Sequence, residues 1–309
     1  MTLIRDPRAV LEAHELTGPV PSVRTPSTID DLMFPVPAGC ADLIRDGELD
    51  ELRRRLAGFV QLVDEAGFAI LRGAPPADEE TATSAALTIA RLFGTPLEYM
   101  PELGVLNSGP TYPVVDRGFD VRSEDMLYSA TSAALGLHTD GTEASFTPDH
   151  FLLLCVAQAE TGGSSFACHI GNAYNRLLAA DPDAARLLHR DFFREVVRVG
   201  RRDTVTDEEQ LAHRWPILSS GMYGPGLTLR YTRRWVEEGH RLLGCPLEPD
   251  ELRAIERWET ELARDVIEFR LRPGDVLVAD NHVVAHGRGS FQDAGRKRLL
   301  LRVWTRPAS

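Results

Sequence analysis

The stretch Val266-Ile-Glu-Phe-Arg-Leu-Arg-Pro-Gly-Asp-Val-Leu-Val-Ala279 sets two short apolar runs on either side of Arg272-Pro-Gly-Asp275. Proline fixes φ and glycine supplies a permissive position, so these four residues predict a tight turn between two strands. Working outward, Phe151-Leu-Leu-Leu-Cys-Val156, Ser164 to Ile170 and Leu299 to Trp304 read as further strands. Helices are expected to interrupt them at Asn172 to Ala180 and Pro249 to Arg264, where Leu252, Ile255 and Leu262 keep helical spacing. Nearer the start, Leu52, Leu56, Phe59, Val60 and Val63 share one helical face between Asp46 and Gly67, and the glycine stands where a helix would stop. Phe68-Ala-Ile-Leu71 then reads as a strand, and a second helix covers Glu79 to Phe93 before Gly94. Helices in front of a strand-rich half, and inserted within it, predict an α+β domain built on a barrel or sandwich. We divide the single domain 1–309 into an extended arm (1–45), a helix-rich front (46–134) and a β core (135–309) with a helical insertion at about 172–264.

The composition limits the function classes. The chain has 309 residues, 43% apolar and 26% charged, enough for a substantial core, and a formal net charge of −12. Phosphate backbones and anionic lipids are recruited by clustered Lys and Arg, whereas here arginines alternate with acids, as in Asp50-Glu-Leu-Arg-Arg-Arg55. Neither nucleic acid nor a membrane is expected as partner, and a small molecule is. Cys40, Cys155, Cys168 and Cys245 form no C-x-x-C pair, so reduced thiols are expected. The N-terminal residues lack the apolar run of a signal peptide, and the longest apolar stretch, Phe151 to Ala157, is too short to cross a bilayer. A cytoplasmic protein is the resulting expectation; its oligomeric state is left open.

Two segments carry groups suited to metal chemistry. His138-Thr-Asp140 opens the β-rich half, and His286 lies in Asp280-Asn-His-Val-Val-Ala-His-Gly-Arg-Gly289, directly after a predicted strand. Two imidazoles and a carboxylate can occupy one face of an octahedral iron and leave the opposite face open. An H-x-D tripeptide alone arises often by chance, and a lone strand histidine is usually structural. Near the end, Arg298-Leu-Leu-Leu-Arg302 puts two arginines four apart in a strand, where both point to one face. A guanidinium fork matches a carboxylate in bidentate fashion, and buried arginines require an anion or acidic neighbours. Arg296 and Lys297 offer a shifted register that would change the inward-facing set.

The order of these segments resembles the taurine dioxygenase and clavaminate synthase group of 2-oxoglutarate-dependent oxygenases. The likeness runs from Gly67-Phe-Ala-Ile-Leu-Arg-Gly73, through His-x-Asp, Gly162-Gly-Ser-Ser165 and a distal His in His286-Gly-Arg288, to the basic residues of the last strand. It implies a double-stranded β-helix, a jelly-roll of cupin type, with flanking helices. It also implies Fe(II) on His138, Asp140 and His286, with 2-oxoglutarate and O₂ as co-substrates and succinate and CO₂ as products. By the same resemblance Ser165 helps hold 2-oxoglutarate, Arg298 binds its distal carboxylate, and Arg302 approaches the 2-oxoglutarate or a substrate anion. The family often has Thr where Ser165 stands, and the clavaminate-type hydroxylases commonly carry Glu where Asp140 stands. Related halogenases usually replace this carboxylate with a small residue, so Asp140 favours hydroxylation.

The expected substrate is a small polar metabolite of secondary metabolism, an amino acid or amino-acid derivative. Desaturation, epoxidation and cyclisation remain as alternative outcomes. A zinc hydrolase, which would not need the paired arginines or a keto-acid site, and a non-catalytic β-helix sensor, which the intact triad disfavours, are the readings of another class. Asn281 or His282 is expected to orient a metal-bound imidazole. His150 and His169 are taken as core or surface groups, Trp235, Trp258 and Trp304 as packing residues, and Tyr223 to Tyr231 as a loop that reaches the substrate.

Overall fold

The computed structural model describes residues 6–74, 79–98, 109–118, 128–142, 144, 146–198, 202–221, 226–293, 295 and 297–307. The arm is more than an extended wrap. It contains strand β1 (Met33–Pro35), which runs parallel to β2 (Phe68–Arg72) with Met33 opposite Ile70 and so supplies a sheet edge. The arm ends in α1 (Cys40–Asp46), and the single helix expected between Asp46 and Gly67 is two, α2 (Leu49–Arg55) and α3 (Ala57–Ala66). Leu56, at φ −100° and ψ 12°, ends α2 and begins α3, a bend that leaves Leu52, Leu56, Phe59 and Val63 all fully buried. Gly67 stops α3 in the left-handed region at φ 82°, its N–H on the Val63 carbonyl, as a glycine after a helix does.

Helix α4 (Glu79–Ala90) follows, then β3 (Thr95–Pro96), β4 (Thr111–Val114), β5 (Leu135–His138), β6 (His150–Ala157), β7 (Thr161–Gly162) and β8 (Ser165–His169). The insertion holds helices at the two expected places, α5 (Ile170–Ala180) and α9 (Pro249–Ala263). Between them lie α6 (Pro182–Leu188), β9 (Asp191–Phe193), α7 (Asp207–Ala212), β10 (Arg214–Pro216), β11 (Leu218–Ser220), β12 (Leu227–Leu229) and α8 (Arg233–Leu242). It is therefore not purely helical: β9 pairs with β10, and β11 with β12. The chain closes with β13 (Ile267–Phe269), β14 (Asp275–Asp280), β15 (Val284–Arg288), β16 (Phe291–Gln292) and β17 (Leu299–Arg306).

Among the described residues these strands make a seven-stranded sheet in the order β1-β2-β14-β6-β17-β3, with β4 also on β17, and a four-stranded sheet in the order β13-β8-β15-β5. One core cluster draws Phe68, Ile70, Phe151, Leu277, Leu300 and Trp304 from the large sheet and Ala167, Phe269 and Val284 from the small one, so the sheets pack face to face. The outer face of the large sheet, through Leu71, Leu152, Leu154, Val276, Val278, Leu301 and Val303, packs on α1 to α4. Cys168 and Ala285 of the small sheet pack with Tyr174, Leu177, Ile255, Trp258 and Leu262 of the insertion helices. Strands covered on both faces explain why Phe151–Val156 and Leu299–Leu301 are continuous apolar runs instead of alternating ones.

Candidate metal centre

His138 ends β5 and His286 lies in the middle of β15, and the antiparallel register sets them opposite each other with ring centroids 4.2 Å apart. The two strands can approach this closely because residue 287 is glycine. A Cβ there would lie 2.2 Å from the Phe166 ring and 2.6 Å from the Leu135 carbonyl oxygen. Asp140 follows in the turn after β5. The three side chains are buried, and one donor atom from each lies within 4.8 Å of the others. The same Asp140 oxygen is 3.7 Å from Nε2 of His138 and 3.8 Å from Nε2 of His286.

Local contacts orient each donor. Nδ1 of His138 donates to the Gly136 carbonyl at 3.0 Å, which fixes the ring with Nε2 toward Asp140. The His286 ring stacks on Phe151 at 4.0 Å. Burial, helped by His138 and Arg302 against the pull of Asp140, pushes its pKa down to about 3, so the imidazole is neutral at pH 7. Burial alone would raise the Asp140 pKa. Arg302, His138 and His286 outweigh it and hold the carboxyl well below the usual range. Trp304 Nε1 donates to one carboxylate oxygen at 2.7 Å and Arg302 Nη1 to the other at 3.2 Å. Two imidazoles and a carboxylate with a shared focus suit a divalent first-row cation with open positions.

The centre opens into a cavity lined by the three donors, Ser165, Arg288, Arg298, Arg302 and apolar groups including Leu153 and Leu300. Arg298 is 1% exposed. Its Nε donates to Gln158 Oε1 at 3.1 Å, while Nη1 has no partner among the described residues. Lys297 is exposed and Arg296 lies outside the described residues, so the shifted register gains no support from the part that is described. Arg298 and Arg302 do share one cavity. Arg302, however, contacts the Asp140 carboxylate itself and sits over the rings of Tyr112 and Trp304 at 5.0 and 4.5 Å.

Several residues have roles other than those read from sequence. Asn281 does not meet an imidazole. Fully buried, it grips the peptide of Asp140 from both sides: its Oδ1 accepts the Asp140 N–H at 2.8 Å and its Nδ2 donates to the Asp140 carbonyl at 3.0 Å. The amide also donates to the Pro148 carbonyl at 3.0 Å, and His282 pairs with Asp149 at 2.8 Å. Trp304 is more than packing, since it holds the Asp140 carboxylate. In the Tyr223 to Tyr231 stretch, 223–225 lie outside the described residues. Tyr231 exchanges two hydrogen bonds with Thr139, its N–H to the hydroxyl at 2.9 Å and its carbonyl from the Thr139 N–H at 2.8 Å. This stretch thus steadies the H-x-D turn. Gln158 carried no sequence signal that separates it from ordinary polar residues, and Arg288 stood out only as part of the His286-Gly-Arg288 motif, without a role of its own.

The profile of the family described as taurine catabolism dioxygenase TauD, TfdA matches residues 42–304. The chain belongs to the TauD/TfdA family. The resemblance drawn from the motifs is thus a membership, and it places the chain among oxygenases. This TauD/TfdA chain is 32% identical over 254 residues to uridine-5'-phosphate dioxygenase of Streptomyces sp, covering 79% of this chain and 86% of that one. It is 29% identical over 182 residues to FR-33289 synthase of Streptomyces rubellomurinus, covering 56% of this chain and 50% of that one. Asparagine oxygenase in complex with Fe(II), 3-hydroxyasparagine and succinate superposes with a TM-score of 0.66 at 20% identity, over 90% of this chain and 94% of that one. The non-heme iron oxygenase OrfP in complex with Fe and alpha-ketoglutaric acid superposes at 0.62 and 17% identity, over 88% and 93%. At these identities the structural likeness establishes the fold. Among the described residues no helix is long and apolar enough to cross a membrane.

Proposed function

We propose that this oxygenase binds Fe(II) through His138, Asp140 and His286 and uses 2-oxoglutarate and O₂ to hydroxylate an unactivated C–H bond of a small polar metabolite. One observation carries the reading: three metal-competent donors share a cavity with a buried Arg298 whose Nη1 has no partner among the described residues. In this reading the two facing sheets are the halves of a double-stranded β-helix, a jelly-roll, and residues 1–309 act as one catalytic unit. Four buried cysteines outside any disulfide fit a reducing compartment, and we place the protein in the cytoplasm.

Iron bound here would supply the coupling of O₂ reduction to decarboxylation of the keto acid, yielding succinate, CO₂ and an oxygen atom for the substrate. The chain's part is position. Arg298 pairs with the distal carboxylate of 2-oxoglutarate, with Ser165 beside it, and fixes the keto end toward the metal donors. Arg302 and Trp304 keep Asp140 ionised and oriented. Leu153 and Leu300 make the walls apolar and limit water near the reacting bond.

The substrate of this reading is an amino acid or amino-acid derivative, in keeping with the hydroxyasparagine held by the structural neighbour. A nucleoside 5'-monophosphate is the second reading, favoured by the relative named for uridine 5'-phosphate. Desaturation, epoxidation or cyclisation would leave the same co-products. The test is succinate formation by the iron-loaded protein with panels of both substrate classes, with product mass measured in parallel. Substrate-stimulated succinate, abolished in His138→Ala, Asp140→Ala and His286→Ala, is the expected result. Zinc-supported hydrolysis without succinate would replace the reading with that of a hydrolase.

A further inference from the structure

Arg298 has a neighbour at its end of the cavity. Arg288 lies two residues beyond His286, and both side chains line the cavity, as the period of two in a strand requires. In the ladder Arg288 stands opposite Ser165 of β8. The guanidinium carbons of Arg288 and Arg298 both lie over the Phe291 ring, at 4.9 and 5.0 Å from its centroid. Residue exposures are 6% and 1%. Nη2 of Arg288 donates to the Thr131 carbonyl, which holds the head group in place. Both guanidiniums thus line the same end of the cavity, where an anion can take a charge-assisted contact from each.

We propose that Arg288 and Arg298 together form a two-guanidinium seat for the distal carboxylate of a 2-oxo dicarboxylic acid, with Ser165 at its edge. The inference rests on the 2-oxoglutarate reading and adds Arg288 to it as a binding residue. It has a consequence for selectivity. A seat with two guanidiniums favours a dicarboxylic over a monocarboxylic keto acid more strongly than one guanidinium would, because each adds a charge-assisted contact that a monocarboxylic acid cannot make.

The experiment is calorimetric titration of 2-oxoglutarate, and separately of pyruvate, into the anaerobic Fe(II)-loaded protein. Wild type is compared with Arg298→Leu, Arg288→Leu and Arg288→Gln, the last keeping a donor for the Thr131 carbonyl in case the leucine variant fails to fold. We expect each variant to weaken 2-oxoglutarate by about tenfold or more while pyruvate binding changes little, since each loses a charge-assisted contact to the distal carboxylate only. Unchanged 2-oxoglutarate affinity in a folded, iron-loaded Arg288→Gln overturns the seat, as does an equal loss for both keto acids, which would mark a structural role. A wild type that binds iron but no 2-oxoglutarate overturns the parent reading, an outcome distinct from either of these.

Discussion

Asp140 must stay ionised where burial opposes charge, and the groups that keep it so come from far along the chain. Trp304 and Arg302 reach its carboxylate from β17, and Asn281 holds its peptide from the end of β14, 141 residues away. His138, Asp140 and His286 stand out in the sequence because a tripeptide and a strand histidine are local patterns of metal-binding residue types. Asn281 and Trp304 could not be read the same way, since their meaning arises only when distant segments meet. Asn281→Ala strips partners from the buried N–H and carbonyl of Asp140, each costing about 1–3 kcal/mol when left unsatisfied. The ligand turn should loosen, and Fe(II) affinity, measured anaerobically, should fall by about tenfold or more. Asn281→Ala that binds iron as tightly as wild type would show that the peptide clamp does not position the ligand.

At the scale of elements the site depends on how closely β5 and β15 approach. Gly287 permits that approach, for any side chain there runs into the Phe166 ring and the Leu135 carbonyl. Gly287→Ala should cost about 1–3 kcal/mol by overpacking, and should part the strands that carry His138 and His286, lowering iron affinity as well. Urea unfolding and iron titration would measure both effects; a variant unchanged in both would mean that the ladder adjusts without moving the histidines. The longer strands were legible because helices cover the outer face of each sheet, which makes the runs apolar throughout. The break at Leu56 was not, because the same apolar spacing continues across it and the nearest glycine, Gly58, lies inside α3 and not at the bend. Strands β9 to β12 are three residues each, too short to display a period, so the insertion read as helical.

Over the whole molecule, two sheets between helical layers leave histidines deep inside as well as at the centre. His189 is fully buried, with neither ring nitrogen partnered among the described residues, and burial lowers its pKa to about 4. His240, also fully buried, takes the Phe193 N–H on Nε2 at 3.2 Å and is lowered to about 4. The unfolded chain protonates them near 6.5. Between about pH 6.5 and 4 the unfolded state therefore binds more protons, and stability present above this window is lost as pH falls through it. Each histidine contributes at most about 1.4 kcal/mol per pH unit. Urea melts of the metal-free protein should show this slope, reduced in His189→Leu; an unaltered slope in that variant would remove His189 from the account. The central claim, an iron centre that binds a keto acid, is tested most directly by anaerobic titration of 2-oxoglutarate with and without Fe(II), followed by visible absorption. The account predicts one iron per chain, 2-oxoglutarate binding that requires it, and a weak charge-transfer band that appears only when both are present. Full iron loading with no band, and no iron-dependent binding of 2-oxoglutarate, would contradict it.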